Sequence, residues 1–152
     1  MEILPTIEIP DKRLTTKSEV IEEITPDIKA FAEEMIMVLE ARKGLGLAAP
    51  QIGRNIRLIV GYLFNTEMIA LVNPEIIRKE HGEATMTESC LSCPGKEVDV
   101  IRPEVITIIA EDLYGNKLSR MLGGLNARIF QHELDHLDGV LITDYENVNE
   151  IM

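Results

Sequence analysis

Apolar residues in the first third of the chain recur at helical spacing. Ile28, Phe31, Met35, Val38 and Leu39 fall on one face of an element that opens at Thr25-Pro26-Asp27. Thr25 can cap it, Pro26 suits the first helical position, where its missing N–H is not needed, and Asp27 complements the positive end of the dipole. Gly44 is the natural stop. The pattern then shortens. Residues 56–61, 68–72, 75–80, 98–101 and 105–110 are rich in apolar and β-branched side chains and predict strands. Asn73-Pro74 predicts a break between two of them, and Tyr114-Gly115-Asn116 a turn. The helical period returns from about residue 124 to 137. Most strands precede that second helix. The order predicts an α+β fold: antiparallel strands packed around a C-terminal helix, with another helix near the N-terminus.

Composition narrows this picture. A chain of 152 residues can build one domain with its own core, here taken as residues 1–152. It lacks tryptophan, so Ile, Leu, Val and Met must fill that core. The net charge of −11 repels phosphate backbones, and no dense Lys/Arg patch opposes it, so direct nucleic-acid binding is not expected. No run of about eighteen apolar residues predicts a membrane span. Met1 to Pro5 lacks the basic-then-apolar pattern of a secretory signal, and two cysteines make no disulfide framework. The expected compartment is the cytoplasm.

The second helix carries the chemistry. His132-Glu133-Leu134-Asp135-His136 places two imidazoles one turn apart on one face, where both reach one metal ion, with Glu133 beside them to act on a bound water. At roughly 100° per residue, Leu125, Ile129, His132 and His136 share a stripe about 60° wide. The histidines therefore continue an apolar stripe expected to face the interior, where unpaired imidazoles would be costly. Asp135 lies off the stripe and is a poor ligand candidate.

A catalytic metal needs a third protein ligand and an open position. Cys90 and Cys93 both compete for that place. In an extended segment, residues three apart point to opposite sides and only one sulfur reaches the ion. In a knuckle, both join the histidines in a closed structural zinc site. Spacing leaves both arrangements open. The Gly-rich stretch 44–51 reads as an irregular loop that lets backbone approach a ligand closely, with Gln51 as an amide donor.

Taken together, Gly-Leu-Gly-Leu-Ala-Ala-Pro-Gln at 44–51, Glu-Ser-Cys-Leu-Ser at 88–92 and Gln-His-Glu-Leu-Asp-His-Leu-Asp-Gly at 131–139 resemble the three signature motifs of the peptide deformylases, in order and separation. Residues 9–14, Asn73-Pro74 and Arg102-Pro103 extend the resemblance over most of the chain. It implies hydrolysis of the N-terminal formyl group of formyl-methionyl nascent polypeptides, with release of formate. It implies Cys90, His132 and His136 as ligands to one divalent ion, Fe(II) in the cell, with zinc, nickel or cobalt also able to occupy the site. Glu133 would move the proton, while the Gln51 amide and the Leu91 N–H would stabilise the oxyanion. Gly46 would hydrogen-bond an extended substrate, and Met86, Leu125 and Ile129 would line the methionine pocket. Glu88 is expected to orient a histidine, and Arg102 to pair with Asp135.

Two residues depart from the family pattern. Ser89 stands where glycine is usual, and Cys93 where an aliphatic residue is usual. Ser89 keeps open a relative acting on another N-formyl or N-acyl group. A zincin-type endopeptidase shares the histidine motif but fits the Cys90 and Gln51 segments poorly. Residues 144–152 are too few for a substantial helix, so no dedicated ribosome-docking tail is expected.

Overall fold

The computed structural model describes residues 3–80 and 82–146. Helix α1 spans Pro26–Arg42, and Thr25 accepts a hydrogen bond from the Ile28 N–H at 3.2 Å, as its capping role requires. The helix ends two residues before the expected glycine. Lys43 takes the left-handed conformation (φ 57°) and its N–H closes on Leu39 and Glu40 carbonyls. Gly44 follows with its N–H on the Leu39 carbonyl at 3.2 Å.

Seven strands follow: β1 Gly46–Ala48, β2 Leu58–Phe64, β3 Glu67–Lys79, β4 Glu83–Ser89, β5 Glu97–Pro103, β6 Val105–Glu111 and β7 Lys117–Gly123, then helix α2, Gly124–Leu137. One antiparallel sheet has the order β1-β2-β3-β6-β7, and β4 and β5 form a separate hairpin. The fold is thus α+β, with helices near each end of the chain and strands between.

Three expectations need correction. The stretch 44–51 is not simply a loop: Gly46 to Ala48 pairs with β2, and Ala49–Ile52 forms a 3-10 turn. Close approach permits this, since a Cβ on Gly61 would lie 2.8 Å from the Leu45 carbonyl oxygen and 3.0 Å from the Gly46 Cα. Asn73-Pro74 does not end a strand, because β3 runs through it as a bulge with a register shift between Val72 and Glu75. Asn73 (φ 50°) compensates by exchanging two 2.8 Å side-chain hydrogen bonds with the Ile21 backbone. Strands β4 and β7 went unread because most of their side chains are exposed, so neither carries a continuous apolar signal.

Alternation along the central strands splits the core into two layers. Leu58, Val60, Ala70 and Val72 pack with Phe31, Met35 and Leu39 of α1. Ile59, Leu63 and Leu71 face the other way, toward Ile129, Phe130 and Leu137 of α2. Burying a side chain such as Phe130 or Leu137 contributes about 1.5–3 kcal/mol, so this layer fixes α2 firmly against the sheet. A third cluster, with Leu14, Val98, Val100, Leu141 and Ile142, supports the β4–β5 hairpin. The two supports bring the end of β4 up to α2. Among the described residues, no helix is long and apolar enough to cross a membrane. Of the segment expected to carry no ribosome-docking tail, residues 147–152 lie outside the described residues.

Candidate metal centre

Helix α2 presents His132 and His136 on one face, with ring centroids 5.0 Å apart. Cys90 follows the last residue of β4, and its Sγ lies 3.3 Å from His136 Nε2. One ligand atom from each of Cys90, His132 and His136 falls within 4.8 Å of the other two. Cys93 is not in this group. The turn that brings the Cys93 N–H to the Cys90 carbonyl at 3.1 Å puts the Cys93 side chain into the hairpin core, fully buried beside Leu14 and Val100. The knuckle arrangement therefore lacks its fourth ligand.

The donor set fits a divalent transition metal. Two imidazoles and a thiolate suit zinc and iron, and three protein ligands leave one tetrahedral position for solvent. His132 Nδ1 meets Glu88 Oε1 at 2.8 Å, which fixes the ring and leaves Nε2 as the free ligand nitrogen. His136 is buried, and its Nδ1 has no hydrogen-bond partner among the described residues. Burial, with the nearby His132 and Arg102 charges, pushes His136 well below the usual histidine range, so it is neutral and able to ligate.

Hydrogen bonding to Cys93, burial and the Glu133 charge all push the Cys90 thiol up. A bound cation inverts that balance and deprotonates a coordinating thiol. Burial pushes Glu133 up to about 7, although His132 opposes the shift. Glu133 Oε1 is buried without a partner among the described residues. A carboxyl group poised near neutrality can both take and return a proton.

Behind the histidines, Glu88 is held by three side chains. Arg102 donates to it from Nε and Nη2 at 2.7 and 2.9 Å, Arg128 from Nη1 at 2.8 Å, and His132 lies against Oε1. Burial alone would raise the Glu88 pKa, but these partners hold it far below the ordinary carboxylate range. Arg102 also donates to Asp135 at 2.9 Å, and the Tyr145 hydroxyl donates to the same Asp135 oxygen at 2.6 Å. The expected Glu88–histidine and Arg102–Asp135 contacts are both present. Arg128 and Tyr145 were missed. Arg128 had a signal, being one turn before His132 on the same helix, whereas nothing local marks Tyr145.

In front lies a cleft of about 420 Å³. Gly46, Gln51, Met86, Cys90, Leu91, Leu125, Ile129, His132 and Glu133 all line it. A Cβ on Gly46 would sit 2.6 Å from Glu133 Oε2 and 2.9 Å from Ile129 Cγ2, so glycine is what lets this backbone reach the carboxylate. Gln51 is fixed by accepting from the Ala48 N–H at 2.9 Å, and its amide nitrogen points to Ser92 Oγ at 3.2 Å and Cys90 Sγ at 3.6 Å. Leu91 packs on the α1 layer. Ser89 is exposed on the cleft wall. Leu125 departs from the buried stripe expected of it: it is 50% exposed, because the first turn of α2 overhangs the cleft rather than the core. Met86 is similarly half exposed, while Ile129 is buried.

Comparison with known proteins agrees with this geometry. A family model described as Polypeptide deformylase matches residues 3–150. A peptide deformylase of Dictyoglomus thermophilum is 46% identical over 134 residues, covering 88% of this chain and 86% of that protein. The crystal structure of a peptide deformylase from Thermotoga maritima matches with a TM-score of 0.91 and 33% identity, over 95% of this chain and 97% of the other. A peptide deformylase from Synechococcus elongatus, solved in complex with actinonin, matches with a TM-score of 0.88 and 35% identity, over 93% and 77% of the two chains.

Proposed function

This chain belongs to the polypeptide deformylase family, and on that premise we propose how its residues divide the work of removing the formyl group from nascent polypeptides. Residues 1–152 act as one catalytic domain on formylated peptide N-termini. Cys90, His132 and His136 hold one divalent ion, Fe(II) in the cell, with zinc, nickel or cobalt able to replace it. When bound, such an ion supplies Lewis acidity, acidifying a water and polarising a carbonyl.

The chain's own groups do the rest. Glu133 takes a proton from the water that attacks the formyl carbon, and later gives it to the amine as the C–N bond breaks and formate leaves. The raised pKa of Glu133 suits both steps. The Gln51 amide and the Leu91 N–H donate to the oxygen that gains charge. Gln51 is already locked by the Ala48 N–H, so little reorganisation is needed. Glu88 holds the His132 ring at Nδ1.

The peptide lies along β1 as an added strand, since β1 is a sheet edge with only β2 beside it. Gly46 marks the reacting end through its approach to Glu133. The methionine side chain enters between Ile129, Leu125 and Met86. A buried free thiol and a ligating cysteine favour a reducing cytoplasm, and the charge of −11 disfavours contact with nucleic acid or an anionic membrane.

The observation that carries this reading is the convergence of three candidate ligand atoms within 4.8 Å beside a buried carboxylate whose Oε1 has no partner among the described residues. Its test is formate release from formyl-Met-Ala-Ser by anaerobically purified protein and by Glu133→Ala. The variant is expected to keep its metal and lose about 10²–10⁴-fold in kcat. Equal turnover by the two proteins would remove Glu133 from the reaction.

A further inference from the structure

The chain carries 15 basic and 26 acidic residues, yet its cleft reverses that balance. Its charged lining groups are Arg42, Lys43, Arg128, Glu88 and Glu133. Arg128 is paired with Glu88, and Glu133 is buried beside the ligands. That leaves Arg42 and Lys43 as the charges of the outer cleft. Both are exposed, and among the described residues neither side chain has an ion-pair or hydrogen-bond partner. The acidic Glu40 precedes them on α1, and Glu97 and Asp99 stand on β5, but none of the three lines the cleft.

The path of the backbone says what passes these cations. From Arg42, at the end of α1, the chain runs through Lys43, Gly44 and Leu45 into β1. Gly46 abuts Glu133. Beyond Gly46 the chain is sealed: Leu47, Ala48 and Ala49 are fully buried and Gln51 nearly so. In the other direction Leu45 is half exposed and Lys43 and Arg42 are open. An extended peptide paired on the free edge of β1 with its formyl end at Glu133 runs along Leu45 toward Lys43 and Arg42, antiparallel to β1. Its third and fourth residues then lie beside the two cations.

We infer that Arg42 and Lys43 make the outer cleft select formylated peptides with acidic side chains at the third and fourth positions, over peptides with basic ones there. The inference rests on the deformylase reading. Opposite charges at the rim favour association, and like charges oppose it, with the contrast shrinking as salt screens them. Helix-end cations also balance the dipole of α1, but that role would leave peptide choice unaffected.

The experiment compares formyl-Met-Ala-Asp-Asp, formyl-Met-Ala-Ser-Ser and formyl-Met-Ala-Lys-Lys on metal-loaded protein. The acidic peptide is expected to exceed the basic one in kcat/KM by roughly threefold or more at low ionic strength, and by little in ~0.5 M salt. The double variant Arg42→Gln with Lys43→Gln brings the ratio toward one, and Arg42→Glu with Lys43→Glu inverts it. Titration calorimetry with N-acetyl-Met-Ala-Asp-Asp and N-acetyl-Met-Ala-Lys-Lys should reproduce the order as affinity, without turnover. Equal rates and affinities at low salt, or a preference that survives both double variants, would overturn the inference. Formate from none of the three peptides would instead defeat the deformylase reading and the inference with it.

Discussion

The two sides of the histidine pair are built differently. Behind them, buried Glu88, Arg102 and Arg128 and half-buried Asp135 and Tyr145 form a network of charge-assisted hydrogen bonds, most between 2.6 and 2.9 Å. In front, the cleft rim is made of half-exposed or exposed side chains, Leu45, Met86 and Leu125 with Arg42 and Lys43. The back holds the His132 ring in one orientation, where small displacements would change how the proposed ion is bound. The front meets peptides whose sequences differ after the first residue, and it has few fixed contacts. Rigidity is placed where the geometry of the reaction is set, and latitude where the substrate varies.

Glu88→Ala should break the back most severely. It leaves two guanidinium groups buried without their shared carboxylate, and removing one partner from such a network typically costs about 3–5 kcal/mol. Denaturant unfolding should show that loss, and chelator competition should show metal affinity reduced about 10–100-fold. A variant with unchanged stability and metal affinity would erase the distinction between the two sides.

Gly46→Ala attacks the point where front and back meet. The new methyl group would press on Glu133 and Ile129, and overpacking of this kind costs about 1–3 kcal/mol. Turnover should fall more than melting temperature, because the displaced group is the one proposed to carry the proton. Full activity in this variant would mean that Glu133 has room to move aside.

Tyr145→Phe removes one hydrogen bond, the donor to Asp135, and should cost about 1 kcal/mol. Faster metal loss to a chelator would show that the network reaches from this turn to His132. The smallest effect is expected at the rim. Leu125→Ala should stay within about 0.5 kcal/mol in stability and raise KM for formyl-methionyl peptides more than it lowers kcat. A stability loss of core size would place Leu125 in the interior after all.

The same division governs what could be read from the chain. Helix α1 was legible because its cap and apolar face are local, and α2 because two histidines four residues apart share a face. Cys90 was singled out from Cys93 only by resemblance, since spacing allowed both. The decision lies in a turn that buries one side chain in a core built from Leu14, Val100 and Leu141. Asn73-Pro74 misled because its compensation comes from Ile21, 52 residues away. Arg128 and Tyr145 gain meaning only when α2, β4 and the C-terminal turn pack together, and Leu125 was misplaced because periodicity gives a face but not what covers it.

The central claim is that one thiolate and two imidazoles hold a single ion and leave a position for solvent. X-ray absorption on the zinc-loaded protein tests it directly. The expected shell is one sulfur at about 2.3 Å, two imidazole nitrogens at about 2.0–2.1 Å and one further light atom, losing its sulfur in Cys90→Ser and unchanged in Cys93→Ser. Two sulfurs with two nitrogens, or a shell that changes in Cys93→Ser, would contradict it.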